Sequence, residues 1–172
     1  MKSKLILTLA VVVFGVAVYV GNVLATPAGG QSTTILAKAT VGNLSLFGRS
    51  FASPTPGGKP QLWLAALQTF GQSDVYVVDN TFIPGGTTGW HSHPGPSLVF
   101  VVAGTITNYS SDDPTCSPHV YTAGQSFVDS GGNDEHMLRN ETGANAETIA
   151  VQFVPAGATR RIDEPEPSNC HV

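Results

Sequence analysis

Short runs in which apolar and polar residues alternate dominate the chain from Gln61 onward. Such runs, bounded by Gly, Pro, Asn, Asp or Ser, are typical of half-buried β-strands. They predict strands over residues 74–82, 97–109, 119–121, 126–129 and 148–154. Beyond the N-terminal segment, residues 63–70 are the only segment that could form a helical turn or two. The pattern therefore predicts an all-β sandwich or barrel with Gly-rich turns.

One predicted strand departs from this alternation. Residues 98–103 read Leu-Val-Phe-Val-Val-Ala and are apolar at every position. A strand of this kind is expected to be covered on both faces, with a second sheet on one side. The cover on the other side is left open between the N-terminal segment and a partner subunit.

The first 60 residues have a different character from the rest. Residues 26–60 are expected to form a linker and an N-terminal strand extension, in which residues 26–32 are flexible and residues 34–51 hold a pair of short strands. The Pro/Gly-rich stretch 53–60 separates this extension from the predicted barrel over residues 61–158. Residues 159–172 form the C-terminal tail. A chain of 172 residues is thus expected to build one folded domain.

The N-terminus has the pattern of an export signal. Lys2 and Lys4 precede an apolar run over residues 5–20, and the small residue Ala25 suits cleavage before Thr26. Residues 1–25 are therefore expected to be a signal peptide, and the protein to be secreted or periplasmic. In the alternative, the segment stays uncleaved and tethers the protein to a membrane, since it is nearly long enough to cross a bilayer.

Charge and cysteine content refine this picture. The formal net charge is −4, and it becomes −6 without Lys2 and Lys4, so a nucleic-acid partner is not expected and a membrane partner only if the segment stays uncleaved. Two cysteines in an exported protein are expected to pair. A Cys116–Cys170 disulfide would fix the tail to the barrel.

Two histidines precede the apolar strand. His91 and His93 are separated by one residue, so in a strand their side chains point to the same face, with Cα atoms about 7 Å apart. Two imidazoles at this spacing can converge on one metal ion. A third, His136, follows a turn and opens a predicted strand.

These residues resemble the two sequence motifs of the cupin superfamily. The pattern G(x)5HxH(x)3-4E(x)6G is matched except at its glutamate, where Ser97 stands; the matching residues are Gly85, His91, His93 and Gly104. The pattern G(x)5PxG(x)2H(x)3N is matched with one extra residue before the histidine and with Ser130 in place of proline; the matching residues are Gly124, Gly132, His136 and Asn140.

The resemblance implies an all-β cupin jelly-roll, or double-stranded β-helix, barrel. It also implies that His91, His93 and His136 ligate a divalent metal ion, namely iron, manganese, zinc or nickel. Ser97 inherits no such role, because a neutral hydroxyl is a poor ligand beside three imidazoles. Glu135 would need a β-bulge to reach the ion as a replacement.

The function expected from this reading is that of an exported, metal-binding cupin. The first hypothesis is a metal-dependent, oxygenase-like enzyme, in the manner of a three-histidine dioxygenase, that acts on a small organic molecule. The alternative is a non-catalytic module that binds a small ligand or a metal. A third hypothesis is a structural domain whose apolar strand forms a homodimer.

Overall fold

The computed structural model describes residues 24–132 and 134–172. All but the last two residues of the predicted signal peptide lie outside the described residues. The described chain forms twelve strands and no helix: β1 (Gly29–Val41), β2 (Ser45–Ala52), β3 (Gln61–Gln68), β4 (Ser73–Thr87), β5 (His91–Ser92), β6 (Ser97–Ala103), β7 (Thr105–Ser110), β8 (His119–Thr122), β9 (Ser126–Asp129), β10 (His136–Arg139), β11 (Ala146–Pro155) and β12 (Ile162–Asp163). Accordingly, no helix in the described part of the chain is long and apolar enough to cross a membrane.

Ten of these strands form one antiparallel sheet that folds into two layers. The first layer has the order β1-β4-β11-β6-β9, and the second has the order β8-β7-β10-β5-β12. The layers join where Arg139 of β10 pairs with Thr87 at the end of β4. This nearly closed arrangement confirms the predicted all-β jelly-roll.

The core lies between the two layers and follows the alternation in the sequence. Along β11, Ala146, Thr148, Ala150, Gln152 and Val154 are buried, and the residues between them are more exposed. Val78, Val101 and Ile106 are almost completely buried between the layers. Burying apolar side chains of this size stabilises a fold by about 1.5–3 kcal/mol each. One end of the layers is instead lined by polar side chains.

The apolar strand β6 is covered on one face only. Val99 and Val101 are buried, whereas Leu98, Phe100 and Val102 are 42%, 43% and 46% exposed. Successive side chains of a strand point to opposite faces, and within residues 24–132 and 134–172 no element covers the outer face of β6. The prediction of cover on both faces is therefore wrong for the single chain.

The N-terminal part is more regular than expected. β1 begins at Gly29, within the predicted linker, and pairs with β4 as far as Val41. Residues 63–70 are not helical, because β3 pairs with β2 along its whole length, from Gln61↔Ala52 to Gln68↔Ser45. Cross-strand pairing supplies the backbone hydrogen bonds here, although the sequence lacks strict alternation. Both faces of this hairpin remain largely exposed.

The predicted disulfide is present and fixes the tail. Cys116 and Cys170 are bonded, with their Cα atoms 5.1 Å apart. Cys170 is fully buried beside Trp90, Tyr109 and Met137 in a small second core. The tail is thereby held against the end of the barrel that carries the histidines, and a disulfide is typical of proteins in an oxidising compartment.

Reduction of this bond should lower stability measurably. The bond closes a loop between residues 54 positions apart. Loop-closure entropy of this size corresponds to roughly 4 kcal/mol of unfolding free energy. Urea denaturation with and without a thiol reductant measures the difference. The Cys116→Ala/Cys170→Ala variant is the control and should not respond to reductant; an unchanged wild-type midpoint would contradict the prediction.

Candidate metal centre

Strand pairing brings the three motif histidines together. His91 on β5 and His136 on β10 are direct cross-strand partners, and His93 follows β5 by one residue. All three side chains are buried, and one ligand atom from each lies within 4.8 Å of the others. Among the described residues this is the one group of His, Cys, Asp or Glu side chains with such a geometry. The cluster could hold a metal ion.

The spacing of the ring nitrogens fits an ion. The Nε2 atoms of His91 and His136 are 3.0 Å apart. Two imidazole nitrogens that each lie about 2.1 Å from one ion, at a right angle, are about 3.0 Å apart. The ring centroid of His93 lies 4.9 Å from that of His91 and 5.4 Å from that of His136. The three rings thus surround one common point.

The other ring nitrogens are directed at hydrogen-bond acceptors. His91 Nδ1 lies 3.0 Å from the carbonyl oxygen of Gly89, and His93 Nδ1 lies 2.7 Å from that of Arg160. His136 Nδ1 faces Asp129 Oδ1 at 3.5 Å. These contacts favour the tautomer in which Nδ1 carries the proton and Nε2 keeps its lone pair, as in metal-bound histidines. Converging lone pairs repel each other, and a bound cation removes that repulsion.

A row of polar residues lies across from the histidines. Ser97 of β6 is paired with Gln152 of β11 on one side and with Asp129 of β9 on the other. Cross-strand partners point to the same face, so the three side chains line the same pocket, and all three are buried. Gln152 donates to Ser97 Oγ at 3.1 Å and receives a hydrogen bond from Arg160.

Asp129 was missed by reasoning from sequence, which considered Ser97 and Glu135 as replacements for the motif glutamate. Asp129 Oδ2 lies 3.7 Å from His93 Nε2. By contrast, Glu135 is half-buried and is not a member of the three-histidine group. A signal for Asp129 existed, since it lies two residues after the buried Phe127 and therefore shares its inward face. The strand pairing that sets it beside Ser97 could not be read from the sequence.

The turn after β9 positions Asp129 and His93 through two backbone N–H groups. The backbone N–H of Gly131 donates to Asp129 Oδ1 at 2.9 Å, and that of Gly132 donates to the carbonyl oxygen of His93 at 2.7 Å. Gly131 has a φ of 69°, and a Cβ atom there would collide with the backbone of Gly95. Only glycine fits such a position without strain. Gly131, together with Gly132 of the second motif, thus fixes both Asp129 and His93.

The enclosed space is small and its walls are charged. The cavity between the histidines and the polar row has a volume of about 40 Å³, which is enough for an ion and one or two water-sized ligands. Arg160 and Arg161, from the start of the tail, complete its lining. The pocket therefore combines three imidazoles, one carboxylate and two guanidinium groups.

Burial controls the protonation of this pocket. It lowers the pKa of His91 well below 6.5, with the neighbouring His136 and Arg161 acting in the same direction. It lowers the pKa of His93 to about 4, against the hydrogen bond to Arg160. Burial alone would raise the pKa of Asp129, but the contact with His136 and the N–H of Gly131 outweigh it, and the pKa falls. At neutral pH, His91 and His93 are neutral and Asp129 is ionised.

The metal-free protein should lose stability as the pH falls from about 6.5 towards 4. In the unfolded chain, His91 and His93 become protonated near their ordinary pKa of 6.5. In the folded protein, His93 stays neutral until about pH 4, and the pKa of His91 is also well below 6.5. The unfolded state then binds more protons, so acid favours it. Urea denaturation in the presence of a chelator, between about pH 7 and 5, tests this expectation above the range of carboxylates.

Two variants make this test specific. His93→Gln should flatten the pH dependence, whereas replacing His119, whose side chain is 53% exposed, with Gln should leave it unchanged. A wild-type stability that does not change over this range would show that burial does not depress the pKa values of these histidines.

Comparison with known proteins identifies the domain. The cupin domain family model matches residues 79–152. No curated protein matches the sequence. Among solved structures, oxalate oxidase is similar at 24% identity, over 52% of this chain and 45% of its own, with a TM-score of 0.44. This chain thus spans less than half the length of that enzyme.

Two further solved structures are similar to this chain at comparable TM-scores. An uncharacterised conserved protein with a double-stranded β-helix domain from Klebsiella pneumoniae is 20% identical over 52% of this chain and 75% of its own, with a TM-score of 0.44. The polyketide cyclase RemF from Streptomyces resistomycificus is 14% identical over 55% of this chain and 63% of its own, with a TM-score of 0.45. The match to the family model and the jelly-roll fold together identify residues 79–152 as a cupin domain.

Proposed function

We propose that this protein is an exported, metal-dependent enzyme of the oxygenase type, which acts on a small organic molecule. His91, His93 and His136 hold a divalent ion through their Nε2 atoms. The observation that carries the proposal is the 3.0 Å approach of two Nε2 atoms whose rings are held by their Nδ1 atoms. Such an approach is favourable with a cation between the two lone pairs.

The donor set limits the choice of ion. Imidazole nitrogen suits iron, zinc and nickel, and a mixed nitrogen and oxygen set also accepts manganese. Three protein ligands on one side leave other positions of the ion open. When bound, the ion supplies Lewis acidity and, if it is iron, the ability to react with dioxygen. The protein itself holds His91 and His93 neutral near pH 7 by burying them.

The pocket supports a small, anionic substrate. A cavity of about 40 Å³ is far below the 300–1,000 Å³ typical of sites for drug-sized ligands. Arg160 and Arg161 line it, and both guanidinium groups are only partly exposed. Guanidinium groups bind carboxylates well through paired N–H donors. The charge of these two groups therefore favours the smallest organic acids over neutral or cationic molecules.

A non-catalytic binding module is the alternative. The small size of the cavity favours it, because little room remains beside an ion for a reacting substrate. In that case the same histidines would hold a metal with no turnover. Export in either case is supported by the Cys116–Cys170 disulfide, which persists in an oxidising compartment.

Metal analysis tests the site. The purified wild-type protein, reconstituted anaerobically, should bind one divalent ion per chain, and His91→Ala or His136→Ala should abolish this binding because each removes one of three ligands. His119→Ala is the matched control, since this histidine lies outside the cluster, and should retain the full metal content. A wild-type protein that takes up no metal would contradict the proposal.

Turnover separates the enzyme from the binding module. The iron-loaded protein should consume dioxygen with at least one member of a panel of short organic acids, thiols, diketones and phenolics. His93→Ala should reduce the rate by at least about a hundredfold if the metal reacts with the substrate. An oxygen electrode measures the rate. Tight metal binding with no oxygen consumption across the panel would favour the binding module.

A further inference from the structure

We propose that Asp129 provides the carboxylate of this metal centre, in place of the glutamate that the first motif lacks at position 97. The inference rests on the metal site proposed above. Compared with the first motif, the carboxylate lies one strand further along the sheet, on β9 instead of β6. The three histidines of the motifs are all present. Asp129 lies in the wall of the same pocket, beside His93 and His136.

The register of the sheet makes this exchange possible. Ser97 and Asp129 are direct partners across β6 and β9, so their side chains leave the sheet from neighbouring positions on the same face. Paired residues of this kind have Cβ atoms about 5 Å apart. A carboxylate on β9 thus reaches the space that a longer side chain on β6 would enter. Ser97, with its small hydroxyl, leaves that space open.

One oxygen of Asp129 has no hydrogen-bond partner among the described residues. Oδ1 accepts the N–H of Gly131 at 2.9 Å, but Oδ2 is buried and unpaired. Oδ2 lies 3.7 Å from His93 Nε2, in the wall of the pocket. A buried oxygen without a hydrogen-bond partner destabilises the fold, and more so if it is charged. Its position beside the Nε2 of a histidine identifies the partner it lacks as a cation or a ligand of that cation.

The charge balance of the pocket points the same way. The side chain of Asp129 is fully buried, and its carboxylate oxygens lie 3.7 Å from His93 Nε2 and 3.5 Å from His136 Nδ1. A carboxylate is rarely buried without a compensating positive charge. A divalent ion on the three histidines provides that charge, and the carboxylate lowers the net charge of the centre from two to one. This is the charge that a three-histidine and glutamate set would have.

Metal titration of isosteric variants tests the proposal. Asp129→Asn keeps the shape of the side chain but removes its charge, so the affinity of the metal-free protein for Mn²⁺ or Zn²⁺ should fall by at least about tenfold. Asp134→Asn is the control, because it removes a nearby carboxylate that binds Ser110 and lies outside the pocket. Isothermal titration calorimetry measures both, and Asp134→Asn should bind within about twofold of the wild type.

A second variant separates charge from packing. Ser97→Glu combined with Asp129→Ser returns the carboxylate to β6 and should recover the affinity to within about threefold of wild type. Equal affinity of Asp129→Asn and the wild type would overturn the proposal. So would a loss in Asp129→Asn that the exchange variant does not recover, since this would assign the loss to packing. If the wild type itself binds no metal, the proposed function fails instead.

Discussion

The convergence of three imidazoles in a buried pocket is the constraint on which the site depends. It arises from one cross-strand pair, His136↔His91, to which His93 is added by the turn after β5. The Nδ1 atom of each ring faces a hydrogen-bond acceptor, and two of these acceptors are backbone carbonyls. Backbone carbonyls move little, so the nitrogen lone pairs are preorganised before any ion arrives. The cost of ordering the ligands is paid during folding.

The rest of the fold secures this arrangement from several directions. The tail contributes the carbonyl of Arg160 to His93, and the disulfide at Cys170 holds the end of the tail against the barrel. Asn140, the last residue of the second motif, is fully buried and donates to the carbonyl oxygens of residues 82, 83 and 144. It therefore closes the turn that follows β10, the strand that carries His136. Asn140 is thus a motif residue that supports β10, the strand from which His136 enters the pocket.

The sequence predicts a good part of this structure. The alternating runs locate β4, β9 and β11, and the two motifs identify the three histidines that the fold brings together. The outer face of β6 is uncovered within the described chain, and an apolar run does not reveal whether its second cover comes from the same chain or from a partner. Residues 63–70 were misassigned because the pairing of β3 with β2 outweighs local preference. Asp129 was missed because its role depends on lateral register, which links residues 32 positions apart.

The departure from the motif thus has a structural explanation within the pocket. A serine at position 97 would leave a divalent ion without any anionic neighbour on its protein side, and the adjacent strand places a carboxylate there. Arg160 and Arg161 also line the pocket, where Arg160 donates to Gln152 and Arg161 is paired with Asp163.

X-ray absorption spectroscopy of the metal-loaded protein tests the central claim most directly. We expect the first coordination shell of the metal to contain three imidazole nitrogens at about 2.0–2.2 Å and additional oxygen ligands. The outer atoms of the histidine rings should give their own scattering signal. A first shell composed of oxygen alone, or of fewer than three imidazoles, would contradict it.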